Sequence, residues 1–251
     1  KSVQNRKIIY HCGILNEPNT VYLLSYDIEN NELTDNCLRI FADGIELDCR
    51  GHIIKSYNDV AGIFSNRKDT RIENCIIDMG NTEGAFGIYL DHTKNAYVFN
   101  NTLHYQSIGI FMDNAINSTV ANNILDSNIY GLYLSSSSEN RFSDMVINNN
   151  YYIGTLVSES SNNSFTNIET NSNTNSGFYL YLSGDNQISR ISAEDNINGL
   201  VLDSAYNNSI ANLELSYNSE SGIFLRNSVG NIFNKGIISG TGNNGIWITQ
   251  D

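Results

Sequence analysis

The fold this sequence predicts is an all-β, single-stranded parallel β-helix, a solenoid of about 22–23 residues per coil, and three observations predict it. A glycine followed by an apolar-x-apolar triplet recurs as Gly62-Ile63-Phe64, Gly87-Ile88-Tyr89-Leu90, Gly109-Ile110-Phe111-Met112 and Gly131-Leu132-Tyr133-Leu134. It continues as Gly177-Phe178-Tyr179-Leu180, Gly199-Leu200-Val201-Leu202, Gly222-Ile223-Phe224-Leu225 and Gly245-Ile246-Trp247-Ile248, with a weaker copy at Gly154-Thr155-Leu156-Val157. The intervals from Gly62 to Gly245 are 22 to 25 residues, and self-similarity at such a period marks stacked repeats. Second, apolar residues alternate with period two, as in Leu38, Ile40, Ile45 and Leu47, which indicates strands. Third, each repeat carries further apolar pieces before its glycine, such as Ile210, Leu213 and Leu215 before Gly222, and no window keeps a 3.6-residue period long enough for a helix.

Residues 1–35 fall outside the period and hold the only proline, Pro18, so they are expected to form an irregular N-terminal cap around a strand at Val21-Tyr22-Leu23-Leu24. The β-helix proper is expected from residue 36 to 251 as one continuous domain. Its opener, Cys37 to Ile54, is strand-like. All four cysteines lie early: Cys12 and Cys37 are 25 apart and Cys49 and Cys75 are 26 apart, each close to one coil. Stacking would bring each pair together, either as disulfides of an oxidising compartment or as reduced core thiols, and no C-x-x-C spacing favours a metal.

From residue 60 the columns become regular. Phe142, Phe165, Ile188, Ile210 and Ile232 form one expected inward column, and Met145, Ile168, Ile191 and Leu213 another. Two amide columns accompany them: Gln106, Asn128, Asn150, Asn173, Asn196 and Asn218; and Asn117, Asn140, Asn163, Asn186, Asn208 and Asn231. Stacked amides donate and accept along a column, which makes them structural ladders. The string from Ile210 to Asn218 also fits the leucine-rich-repeat form L-x-x-L-x-L-x-x-N, but a horseshoe needs a helical or irregular arc where this chain supplies a second strand. The last strand ends the chain without a visible cap, which predicts further protein or a stacked partner, including end-to-end copies, at that edge.

A net charge of −13 opposes nucleic acid or an anionic membrane surface and leaves cations and neutral glycans open. No apolar run reaches membrane-spanning length, and the first residues do not read as a signal peptide. Sequons begin at Asn100, Asn117, Asn162 and Asn207, a weak pointer in so Asn-rich a chain.

The opener with its Asp48-x-x-Gly51-His52 ending, followed by Asn-rich repeats carrying Gly-Ile-x-Leu, resembles the NosD-type β-helix proteins of the carbohydrate-binding and sugar-hydrolysis group over roughly residues 12–251. The resemblance implies a right-handed coil of three short strands and an exported protein: extracellular, cell-surface or periplasmic. It leaves activity open, since such families include polysaccharide enzymes, copper-delivery accessories and proteins of unknown role.

Candidate chemistry lies on the glycine strand. Its second residue after the glycine should face outward, giving the column Phe64, Tyr89, Phe111, Tyr133, Leu156, Tyr179, Val201, Phe224 and Trp247. An apolar stripe on a solvent face points to a partner; a covering loop or subunit is one reading and a glycan track on Tyr89, Phe111, Tyr133, Tyr179, Phe224 and Trp247 the other. The fourth position brings Asp91 and Asp113 onto adjacent coils, with His92 beside them. Carboxyls about 5 Å apart would suit a retaining glycosidase, a divalent cation such as Ca2+, or no ligand at all. His11, His52 and His104 are scattered, and nothing in their spacing suggests copper. The expected function is therefore a non-catalytic extracellular β-helix presenting the stripe to a glycan or protein partner. The alternatives are a hydrolase, lyase or epimerase using Asp91, Asp113 and His92, and, more remotely, a metal-handling accessory.

Overall fold

The computed structural model describes residues 5–80 and 82–250; residues 1–4 of the expected cap and Asp251 lie outside them. The described chain is a parallel β-solenoid with no helix, which removes the horseshoe. One sheet has eleven strands in coil order, from Gly13–Leu15 through Phe86–Asp91, Ile108–Asp113 and Tyr130–Ser135 to Asn244–Thr249; we call it the glycine sheet. The remaining strands form a second, sixteen-stranded sheet that bends around the core. In the early coils it has two three-residue strands per turn, such as Arg71–Glu73 and Ile76–Asp78. From Arg141–Val146 onward these fuse into single strands of six to eight residues.

The corners explain the composition. A coil turns through residues at positive φ, for example Glu159, Asn162, Asn167 and Ser172 in one coil and Ser204, Asn207, Asn212 and Tyr217 in a later one. Asn and Asp tolerate this left-handed region best among residues with a Cβ. All four sequon asparagines are such corner residues, each followed by a buried side chain and then a strand-opening Ser or Thr. The sequons are thus by-products of the corner grammar.

The core is a set of stacked columns. Phe142 and Phe165 stack at 4.6 Å with ring planes 9° apart, and Met145, Ile168, Ile191 and Leu213 follow one another in register. Phe233, rather than the expected Ile232, continues the column from Ile210; Ile232 is 65% exposed. The period fixed the coil but not the residue, because both neighbours are apolar.

Amide bonds run along the axis. The backbone N–H of Asn128 donates to Asn150 Oδ1 at 3.0 Å, Asn150 to Asn173 at 2.9 Å and Asn173 to Asn196 at 2.8 Å. The side-chain amides of Asn128, Asn150 and Asn173 also donate down the column. In the second column Asn140, Asn163, Asn186, Asn208 and Asn231 bond likewise. Its preceding member is Ser118, whose N–H donates to Asn140 Oδ1, and not Asn117. Asn117 is an exposed corner residue with φ 52° whose amide reaches Asn95 instead.

Residues 5–35 differ from the expected irregular cap. Asn5–Ile9 pairs with Thr20–Leu24, Gly13–Leu15 with Leu38–Ile40, and Ile28–Glu29 with Ile53–Lys55, all parallel. They escape the glycine pattern because Gly13 opens a strand of only three residues, yet they coil as the rest does. Disulfides Cys12–Cys37 and Cys49–Cys75 join coils here, with Cα–Cα distances of 4.5 and 4.7 Å. At the other end Ile246 and Ile248 of the last strand are exposed.

Candidate functional site on the outer face of the glycine sheet

The glycine of each repeat makes this face possible. A Cβ on Gly87 would sit 2.5 Å from the carbonyl oxygen of Gly109, on Gly109 2.6 Å from that of Gly131, and on Gly131 2.7 Å from that of Gly154. None of these glycines has a positive φ, so the requirement is close approach rather than a left-handed turn conformation. The built Cβ of Gly131 would also meet the core residue Ile147, which means that the glycine and the residue after it both face inward. The residues on either side of that inward pair therefore share the outer face. Phe86 lies 5.4 Å from Tyr89 and Tyr130 5.8 Å from Tyr133 between ring centroids.

Phe64, Tyr89, Phe111 and Tyr133 stand in direct register on four successive coils. Their ring centroids are 5.4, 5.0 and 5.2 Å apart. Tyr89 and Phe111 are only 24° from parallel, an offset stack in which rings overlap like shingles. The side chains are half-buried, and they shield one another. Beyond Tyr133 the column changes character: Leu156 follows, then Tyr179, then Val201, which is buried to 3% exposure. Val201 thus does not belong to an exposed stripe. Phe224 and Trp247 form a separate pair at 4.8 Å.

Asp91 and Asp113 are direct register partners beside the rings. Asp91 Oδ1 meets His92 Nδ1 at 2.5 Å, and Asp113 Oδ1 accepts from the Asn114 amide at 2.9 Å. His92 and Asn114 occupy one corner column, with φ of 52° and 51°. The hydrogen bond that the His92 ring donates to Asp91, helped by the charges of Asp91 and Asp113, raises the His92 pKa above its ordinary value. Burial raises the phenol of Tyr89, and the Asp91 and Asp113 charges add to it. The structure therefore gathers Tyr89, Asp91, His92 and Asp113, and separates Trp247 and Phe224 from them by five coils or more.

One cluster escaped the sequence reading. Tyr179 Oη donates to Asp203 Oδ2 at 3.0 Å, and Arg226 Nη2 bonds the same oxygen. Asp203 is 3% exposed although it lies on the outer face. The Arg226 hydrogen bond holds its carboxyl below the usual range despite burial. Burial first, then the bond to Asp203, pushes Tyr179 up to about 12. The usable signal was the stacking of Asp203 on Arg226, one repeat apart at the fourth position.

The model of a family described as periplasmic copper-binding protein (NosD) matches residues 2–167 and again 51–212. The donor set here does not fit copper. All four cysteines are in disulfides, and His52, His92 and His104 sit apart, against Asp27, Asp91 and Tyr105 respectively. Among the described residues no group of three or more His, Cys, Asp or Glu side chains could hold a metal ion.

Solved structures with the same fold include alginate and mannuronan epimerases and an alginate lyase. The A-module of the Azotobacter vinelandii mannuronan C-5 epimerase AlgE4 is 17% identical, covers 99% of this chain and 89% of its own, and has a TM-score of 0.65. The periplasmic alginate epimerase AlgG is 14% identical, with coverage of 100% and 78% and a TM-score of 0.65. An alginate lyase from Paenibacillus sp. is 10% identical, with 93% of both chains covered and a TM-score of 0.66. At these identities the likeness is one of fold. No curated protein matches the sequence. Two disulfides are bonds of an oxidising compartment, and no helix is long and apolar enough to cross a membrane. With its family model spanning most of the chain, this β-solenoid belongs to the NosD family.

Proposed function

We propose that this chain is a non-catalytic extracytoplasmic β-helix that binds a linear glycan along the outer face of the glycine sheet. The observation that carries the reading is the unbroken register of Phe64, Tyr89, Phe111 and Tyr133, one ring per coil. Sugar rings lie against aromatic faces, and an extended sugar chain advances by a distance comparable to the strand spacing. A glycan parallel to the solenoid axis therefore meets one ring per sugar unit. The polysaccharide chemistry named for the structural neighbours supports the substrate type. A glycan array with wild type and the Tyr89→Ala, Tyr133→Ala double variant tests it. The expected result is loss of signal for one family of linear glycans; unchanged binding in a folded variant would remove the track.

A second reading, polysaccharide processing, is favoured by the Tyr179, Asp203 and Arg226 cluster rather than by Asp91 and Asp113. A buried carboxylate shared by a phenol and a guanidinium on a ligand-facing surface is a perturbed pair of the kind active sites hold. Chain-cleavage and epimerisation products from a polysaccharide panel, absent with Tyr179→Phe, would establish it.

A further inference from the structure

Past Tyr133 the outer face of the glycine sheet changes from an apolar floor to a polar one. In the column one residue before each glycine, Phe86, Ile108, Tyr130 and Ile153 give way to Ser176, Asn198 and Ser221, register partners on successive coils. Phe86 and Tyr130 of this column lie against Tyr89 and Tyr133, so the column faces outward. The later glycines agree, since a Cβ built on Gly199 would meet the core residue Leu215 and one on Gly222 would meet Ile238. Short side chains that are buried on an outer face lie at the bottom of a trough, and Ser176, Asn198 and Ser221 are all buried. Tyr179 and Phe224 stand beside them, with the short, buried Val201 between the two rings.

Two polar atoms on this floor have nothing in the protein to bond. Asn198 is 9% exposed and Ser221 0%, yet among the described residues neither Asn198 Oδ1 nor Ser221 Oγ has a hydrogen-bond partner. Thr93 Oγ1, Gln106 Oε1 and Thr155 Oγ1 share that condition singly, whereas Asn198 and Ser221 are in direct register on adjacent coils. A buried polar atom without a partner costs stability, and two together on the face that carries the rings call for a partner from outside the chain. Adjacent coils are about 4.8 Å apart. One hydroxyl at about 2.8 Å from each atom spans that gap, accepting from the Ser221 hydroxyl and donating to Asn198 Oδ1. The charged cluster lies at the other end of the same strand, where Tyr179 and Arg226 both bond Asp203.

Resting on the glycan reading above, we infer that the trough at Asn198 and Ser221 is the hydroxyl-reading seat of the track, taking a neutral sugar unit with an unsubstituted ring hydroxyl. Phe111, Tyr133, Leu156, Tyr179, Val201 and Phe224 follow one another in register, so a hexamer laid at one unit per coil reaches both the rings and the seat. The rings supply contact that any flat sugar face can use. Discrimination comes from the uncharged pair, because a sugar substituted at that hydroxyl leaves both atoms unpaired.

The test is calorimetric titration of the full chain with β-1,4-linked hexamers of glucose, mannose, galactose and xylose, each free and O-acetylated on its ring hydroxyls. Wild type is expected to bind at least one free hexamer about tenfold more tightly than its acetylated form. Ser221→Ala and Asn198→Leu should each weaken the free hexamer to the level of the acetylated one. Both variants should melt at or above the wild-type temperature, because each removes a buried polar atom that has no partner. A lower melting temperature in both would mean that the pair serves the fold through a bridging water, and would overturn the seat. Free and acetylated hexamers binding alike, while Tyr89→Ala with Tyr133→Ala still abolishes binding, would overturn the seat and leave the track standing. Absence of binding by every hexamer would overturn the track and the seat together.

Discussion

Gly131 has no space for a methyl group: its Cβ would fall 2.3 Å from Ile147 Cγ2 and 2.7 Å from the Gly154 carbonyl oxygen. Gly131→Ala is therefore expected to destabilise the chain by about 1–3 kcal/mol, the usual cost of overpacking a rigid interior, as read by urea denaturation. Arg226 tests a charge in the same way. Removing it leaves the Asp203 carboxylate buried with, among the described residues, Tyr179 and Ser204 as its hydrogen-bond donors. Because the guanidinium itself is half in water, Arg226→Ala should cost about 2–3 kcal/mol, below the 3–5 kcal/mol of a fully buried pair. The sign with pH follows from the direction of the shift. Asp203 titrates lower folded than unfolded, so its contribution is complete above the ordinary carboxylate range and is lost as pH falls through the folded value. The gap between wild type and Arg226→Ala should accordingly close on acidification; a gap independent of pH would mean that the pair does not hold Asp203 ionised.

At the level of the coil, the amide ladders and the disulfides do related work, since both tie one turn to the next where strand bonds stop. Cys75 occupies the place an asparagine takes one coil later: its N–H donates to Asn101 Oδ1 at 2.9 Å, and Asn101 in turn donates to Asn123. Closing loops of 25 and 26 residues, each disulfide should contribute about 3 kcal/mol by restricting the unfolded chain. Reductant should lower the melting temperature of wild type and leave a variant lacking all four cysteines unmoved. Elements of this kind were largely legible in the sequence, because a column is a period and periods survive without coordinates. What failed were one-residue offsets, Asn117 for Ser118 and Ile232 for Phe233, where adjacent residues of like chemistry point to opposite sides of the coil wall. The arrangement of the candidate site was legible in part. Tyr89, Phe111, Asp91 and Asp113 follow from strand alternation, whereas the second outward residue, Phe86 or Tyr130, depends on the paired inward residues at each glycine, which break alternation. The Tyr179, Asp203 and Arg226 cluster required three coils to be seen together.

The whole molecule is close to one-dimensional, since each coil contacts only its two neighbours. Its stability is then a sum of local terms, and its ends should open first. Amide exchange is expected to be fastest in Ile232–Ser239 and Asn244–Thr249, where most side chains are exposed, and slowest in central strands such as Tyr130–Ser135; equal protection at both places would indicate a single cooperative unit. The ladder carries one further consequence. Asn150 bonds Asn173 across 23 residues as Asn173 bonds Asn196, so the union between successive coils is the same from one to the next. A duplicated stretch of 151–173, inserted after itself, would find every donor and acceptor it needs already in place. Copy number is thereby uncoupled from interface design, and the solenoid is a rod whose length changes by whole graduations without any side chain being reinvented.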